Sequence, residues 1–218
     1  MHQHTSSGLF VTGTDTGVGK TIAAAWLVQQ FKLAYWKPIQ SGLDGISDTA
    51  MIRSLTTVPD EQILPETWRL TAPLSPHEAA RQDGVELHLE QFVLPVSSRP
   101  VIVEGAGGVM VPLNEREFMV DLMVRLTLPV VLTARTALGT INHTLMSLEC
   151  LRRRGLEVSG VILSGPPNEV NRTAIARFGN VPILAEIPWL DPLTPANLAA
   201  VQPSDPTLWK TWLRECNP

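Results

Sequence analysis

Residues 9–26, LFVTGTDTGVGKTIAAAW, constrain the fold of this chain more than any other stretch. Leu9 to Thr12 is a short apolar run that ends at Gly13. Thr14-Asp15-Thr16-Gly17-Val18-Gly19-Lys20-Thr21 follows, and Ile22-Ala23-Ala24-Ala25-Trp26-Leu27 reads as a helix. A strand, a glycine-rich loop and a helix start are the setting a phosphate-binding loop requires. Glycines let backbone N–H groups turn toward an anion, and the helix N-terminus adds unpaired donors and the positive end of a dipole. In such a loop Lys20 supplies a point charge for the β- and γ-phosphates and Thr21 a hydroxyl for Mg2+. The general pattern has four residues before the Gly-Lys pair; here five separate Gly13 from Gly19. The competing reading is a glycine-rich turn that caps a helix and leaves Lys20 solvated; a GKT directly after a strand favours the phosphate loop. The loop points to a nucleotide and leaves open what is done with the phosphate.

A chain of 218 residues suits one α/β domain and can bury a core without disulfides or metals. Its net charge of −4, with no block of like charge, argues against a nucleic-acid or anionic-membrane partner. The two cysteines, Cys150 and Cys216, have neither disulfide-framework nor zinc spacing, and Cys150 falls in a helical pattern. No apolar run reaches the ~18 residues of a membrane span. The start, MHQHTSSG, is polar and has no apolar signal region, so residues 1–8 are expected to be a disordered start and the cytoplasm the compartment.

Strand and helix patterns alternate without an internal repeat, which predicts a doubly wound, mostly parallel sheet flanked by helices, with 1–218 as a single P-loop NTPase-like α/β domain. Strands are expected at 33–36, 100–104, 129–133, 157–164 and 182–187. Helices are expected at 47–55, 76–81, 87–94, 118–126, 140–154, 169–178 and 207–215. Residues 56–76 are proline-rich and read as irregular. On the 118–126 helix, Val120, Met123 and Val124 are expected on one face.

Further motifs follow the strands, where open α/β sheets bind ligands. Lys37-Pro38-Ile39-Gln40-Ser41-Gly42 delivers a lysine into a proline-stiffened loop that could bind an anion or leave the lysine solvated. Asp48, at a helix start, is an N-cap or, if the loop folds back over a nucleotide, a Mg2+ ligand. Glu104 ends an apolar strand before Gly105-Ala106-Gly107-Gly108. A carboxylate there is costly unless a metal or hydrogen bonds compensate, and P-loop proteins place their second acidic group at such a point. Leu138-Gly139-Thr140-Ile141-Asn142-His143-Thr144 opens a long helix whose N–H groups can hold a carboxylate, with plain capping by Thr140 as the alternative. Glu186-Ile187-Pro188-Trp189-Leu190 could wall a base pocket or close the core.

Together these motifs resemble the dethiobiotin synthetase family. VTGTDTGVGKT (11–21), KPIQSG (37–42), SDTAMI (47–52), SPHEAA (75–80), VEGAGG (103–108), LGTINHT (138–144) and EIPWL (186–190) occur in the family's order, and the five-residue spacing of the loop is the family's form. The resemblance implies a cytoplasmic, homodimeric ligase of biotin biosynthesis that uses ATP as co-substrate and Mg2+. It would form the ureido ring of dethiobiotin from 7,8-diaminopelargonic acid and CO2 through a carbamate and a carbamic–phosphoric anhydride. Lys20 and Lys37 would flank the transferring phosphoryl group as catalytic residues, and Thr21, Asp48 and Glu104 would hold the metal. Gly17, Val18, Gly19, Lys20, Thr21, Ile22, Asp48, Glu104, Gly105, Ala106 and Gly107 would bind the nucleotide, with the backbone N–H groups of Gly17, Val18 and Gly19 on its phosphates. Ser164, Gly165, Pro188, Trp189 and Leu190 would lie on its base side. Thr16, Lys37 and Ser41 would contact the diamine, and Gly139, Thr140, Ile141 and Asn142 of a partner subunit its carboxylate.

One position departs from the family. Ser164 stands where well-known members carry an asparagine that reads adenine, and a serine hydroxyl cannot offer a paired amide donor and acceptor. Two rival classes are a P-loop ATPase switch of the partition or septum-site type and an amidating synthase of the cobyrinic acid type. The first usually carries an extra lysine early in the loop, where Thr14 and Asp15 stand here. The second carries an added glutaminase domain, which these 218 residues are not expected to hold.

Overall fold

The structure, a computed structural model, describes residues 7–216. Of the expected disordered start, residues 1–6 lie outside the described residues. Residues 7 and 8 correct that expectation: the Ser7 carbonyl accepts from the Val101 N–H at 2.9 Å, and β1 (Gly8–Gly13) begins one residue later.

After β1 the chain forms α1 (Lys20–Phe31), β2 (Ala34–Trp36), β3 (Ile39–Ser41) and α2 (Asp48–Leu55). Next come a 3-10 turn at Asp60–Gln62, β4 (Ile63–Leu64), β5 (Trp68–Leu70) and α3 (Pro76–Gln82). A second 3-10 turn, Leu89–Gln91, leads to β6 (Val101–Gly108), α4 (Met119–Leu126), β7 (Val130–Arg135) and α5 (Thr140–Arg153). The chain closes with β8 (Val158–Ser164), α6 (Glu169–Gly179), β9 (Ile183–Ile187), α7 (Pro195–Ala200) and α8 (Pro206–Cys216). Seven strands form one parallel sheet in the order β4-β2-β6-β1-β7-β8-β9, and β3 and β5 pair as a separate parallel ribbon.

Side chains alternate between the two faces of each strand. Phe10, Trp36, Val103 and Leu132 face the core shared with α4 and α5; Leu9, Val11, Tyr35 and Ile102 face the one shared with α1 and α2. Both faces are covered, as all-parallel sheets require. β1 lies in the middle, and the order reverses beside it: β6 and β2 lie to one side, β7 to the other. Ligands in doubly wound sheets bind in the crevice at such a reversal.

Several local expectations change. The 87–94 stretch is only a 3-10 turn between extended segments, and 56–76 holds two short strands, because β2 and β3 each offer a free edge there. Val124 on α4 is exposed, whereas Leu122 and Met119 join Val120 and Met123 in the core. β6 runs on through the glycines to Gly108, which pairs with Gly13 after a shift in register between Val11 and Gly13.

Candidate functional site

The phosphate loop is built from two positive-φ glycines, Gly17 (71°) and Gly19 (91°). Gly19 is the N-cap of α1 and has no side chain to close that end, so the first N–H groups of the helix stay open. A Cβ on Gly19 would come 2.4 Å from Ser164 Oγ, which places the end of β8 directly against the loop. Thr14 N–H donates to the Thr133 carbonyl at 3.0 Å and fixes the start of the loop to β7.

Strand alternation brings the acid and the second lysine to the same place. Glu104 lies beside Val11 of β1, on the sheet face that α1 covers. Its Oε1 accepts from Thr21 Oγ1 at 2.9 Å and from Lys37 Nζ at 3.0 Å. Lys37 follows β2 by one residue; its Nζ also donates to the Gly105 carbonyl at 3.0 Å and pairs with Asp48 Oδ2 at 2.6 Å. Asp48 opens α2, where Ser47 caps the helix by accepting from Ala50 N–H at 3.2 Å. Thr21 Oγ1 lies 3.1 Å from Asp48 Oδ1 as well as 2.9 Å from Glu104 Oε1. One hydroxyl carries one proton, so it cannot serve both carboxylates at once. Two carboxylates and a hydroxyl, all oxygen, are a donor set that suits a hard cation such as Mg2+.

Charge is concentrated and nearly dry. Lys37 and Glu104 are 3% and 1% exposed. Burial works against the Lys37 charge, but Glu104 and Asp48 outweigh it and hold the ammonium above its ordinary pKa. Burial pushes the Glu104 carboxyl up against the opposing pull of Lys37. Burial also raises Asp48, but here Lys37 prevails and the carboxyl sits below its usual range. Lys20 donates to the Asp15 carbonyl at 2.9 Å, and burial, followed by repulsion from Lys37, lowers its pKa to about 8. An anion between the two ammonium groups relieves that repulsion.

These groups line an open cavity of about 790 Å³. Of the expected positions, Thr16, Gly17, Gly19, Lys20, Thr21, Ile22, Lys37, Ser41, Asp48, Glu104, Ala106 and Gly107 share it. Val18 is buried and Gly105 turns toward Phe10 and Met119, so these two offer backbone only. Pro188, Trp189 and Leu190 do not line the cavity; Trp189 is 81% exposed, and Leu193 reaches in instead. Gly165 N–H donates to the Ile187 carbonyl at 2.9 Å, joining the ends of β8 and β9 beside Ser164. Gly139 to Asn142 lie outside this cavity. There Gly139 (φ 90°) is the N-cap of α5, and Thr140 is not the side-chain cap weighed above: its Oγ1 donates to the Arg135 carbonyl at 2.5 Å.

Sequence reading missed Tyr35, Gln40 and the loop 73–75, whose Pro73, Leu74 and Ser75 wall the cavity. Tyr35 stood in a short apolar strand with nothing beside it in sequence to mark it as a donor. Gln40 carried no signal.

A family model described as an AAA domain matches residues 7–197. The chain is 52% identical over 196 residues to a protein of Paramagnetospirillum magneticum named ATP-dependent dethiobiotin synthetase, covering 90% of this chain and 95% of that one. It is 48% identical over 193 residues to a protein of the same name from Brucella ovis, covering 88% and 91%. Among solved structures, a ParA family ATPase from Chlorobium tepidum superposes with a TM-score of 0.55 over 96% of this chain and 98% of that one, at 14% identity, a likeness of fold alone.

Proposed function

The chain belongs to the ATP-dependent dethiobiotin synthetase family, and on that premise we propose that it closes the ureido ring of dethiobiotin from 7,8-diaminopelargonic acid, CO2 and ATP. CO2 adds to one amine to give a carbamate. A carbamate oxygen attacks the γ-phosphorus, ADP leaves, and a carbamic–phosphoric anhydride remains. The second amine attacks its carbonyl carbon, closes the ring, expels inorganic phosphate and gives up a proton. No protein nucleophile is needed; positioning and charge neutralisation carry the reaction.

The geometry supports the following roles. The backbone N–H groups of Gly17, Val18 and Gly19 receive the phosphates. Lys20 and Lys37 approach the migrating phosphoryl group from two sides, and each such donor contributes roughly 10²–10³-fold. Thr21, Asp48 and Glu104 hold Mg2+, which when bound neutralises phosphate charge. Lys37 then exchanges its carboxylate partners for the carbamate and the phosphoryl oxygens. Ser41 Oγ is buried and has no hydrogen-bond partner among the described residues, which suits contact with the diamine beside Thr16. Ser164 and Gly165, with Pro188, Trp189 and Leu190, would lie on the base side of the nucleotide. Gly139 to Asn142 of one subunit would serve the substrate carboxylate bound by the other in a homodimer.

The observation that carries this reading is the convergence of Lys20, Lys37, Asp48 and Glu104 around Thr21. Purified protein given the diamine, bicarbonate, Mg2+ and ATP should form dethiobiotin, ADP and phosphate in equal amounts. ADP release at the same rate without the diamine would overturn the proposal.

A further inference from the structure

Glu104 has two oxygens, and the site described above uses only one of them. Oε1 faces Thr21 and Lys37; Oε2 turns into the sheet and accepts from the Tyr35 hydroxyl at 2.8 Å. Tyr35 is wholly buried and is the only tyrosine in the chain. Its position follows from strand geometry. Tyr35 pairs with Ile102 across β2 and β6, and Glu104 is two residues further on, so both side chains stand on the same face. Lys37 is in turn two residues past Tyr35. Glu104 is therefore held from beneath by a neutral donor and approached from the cavity by a cation.

The structure assigns Tyr35 as a positioning residue for the metal grip: its hydroxyl occupies Glu104 Oε2 and presents Oε1 alone to the cation. This rests on the reading of Glu104 as a Mg2+ ligand. A carboxylate buried this deeply cannot leave an oxygen unpaired without a large cost. Without the hydroxyl, Glu104 would rotate to share both oxygens with Lys37 and Thr21, and the metal would have to compete for them. Groups that orient metal ligands in this way typically cost 10- to 100-fold in metal affinity when removed. Tyr35 touches neither the cavity nor any reacting atom, so it acts only through Glu104.

The test is Mn2+ binding to the enzyme–ADP complex, followed by the paramagnetic signal of free Mn2+. Tyr35→Phe should raise the dissociation constant by about tenfold, leave ADP affinity in EDTA unchanged, and recover turnover at high Mg2+. A folded Tyr35→Phe protein with unaltered Mn2+ affinity would overturn the assignment. Glu104→Gln separates the two layers: if it keeps full Mn2+ affinity, the reading of Glu104 fails. If it loses affinity while Tyr35→Phe does not, only the role of Tyr35 fails. A second measurement needs no variant. Growth on 3-fluorotyrosine places one fluorine probe at this site alone. Its resonance should move when Mg2+ joins the ADP complex, and a resonance that stays put would count against the assignment.

Discussion

Lys37 is a buried ammonium whose two carboxylate partners are themselves candidates for a metal. Isolated buried charges are too costly to persist, so the site rests as a neutral set of two lysines and two acids. A nucleotide and a cation enter by exchange of partners. Glu104→Gln removes one negative charge from that set. Its Mg2+ half-saturation in the product assay should rise at least about tenfold, and its melting temperature should fall as well, because Lys37 loses a buried partner. Gly19→Ala tests the loop. The new methyl meets Ser164 at a backbone conformation that non-glycine residues resist. ATP affinity, measured calorimetrically, should fall about tenfold or more because the loop must shift. At this scale the sequence revealed residues that sit inside contiguous signals. Lys20 and Thr21 belong to the loop, and Glu104 interrupts an apolar strand. Tyr35 and Gln40 stayed hidden because their partners are polar atoms 69 and 8 residues away. Nothing local marks a tyrosine in an apolar strand as a donor.

α2 has to be held so that Asp48 faces the loop. Two devices do this: the Ser47 cap, and Gln40, which accepts from Asp48 N–H at 3.0 Å while its amide donates to the Ser41 carbonyl at 3.1 Å. Ser47→Ala should lower stability by about 1 kcal/mol, or about 3 °C in melting temperature, with activity near normal below that transition. Gln40→Leu leaves a buried N–H unsatisfied, which costs about 1–3 kcal/mol. It also frees Asp48 from the lysine loop, so thermal stability and Mg2+ response should fall together. Long periodic elements were legible: α1, α5, α6, β6 and β8 lie within a few residues of expectation. The region 56–76 was not. β4 and β5 are two and three residues long and exist only because β2 and β3 present edges to them. The 87–94 pattern of apolar residues gave a 3-10 turn, because Leu87 and Phe92 are buried by tertiary packing without helical hydrogen bonding.

For the whole molecule, alternation of strand and helix was enough to give a parallel sheet, and the loop after β1 placed the site at its reversal point. The partition-type switch shares that architecture, which is why fold alone could not separate the two. Identity of about half the residues with dethiobiotin synthetases does. Among the described residues no helix is long and apolar enough to cross a membrane. The proposed shared site makes a prediction that belongs to this scale. A Lys37→Ala protein and a protein altered at Gly139 should each be inactive. Mixed after reversible dissociation, they should recover about a quarter of wild-type activity, because half the dimers then hold one intact site. No recovery in verified mixed dimers would place each site within one subunit.

The account depends most on Lys37 acting on the phosphoryl group rather than on the fold. Single-turnover phosphoryl transfer in Lys37→Ala measures that directly. The rate of anhydride formation should fall by about 10²–10³-fold or more, while ATP affinity stays within about threefold of wild type. An unchanged rate in a folded, ATP-binding variant would contradict it.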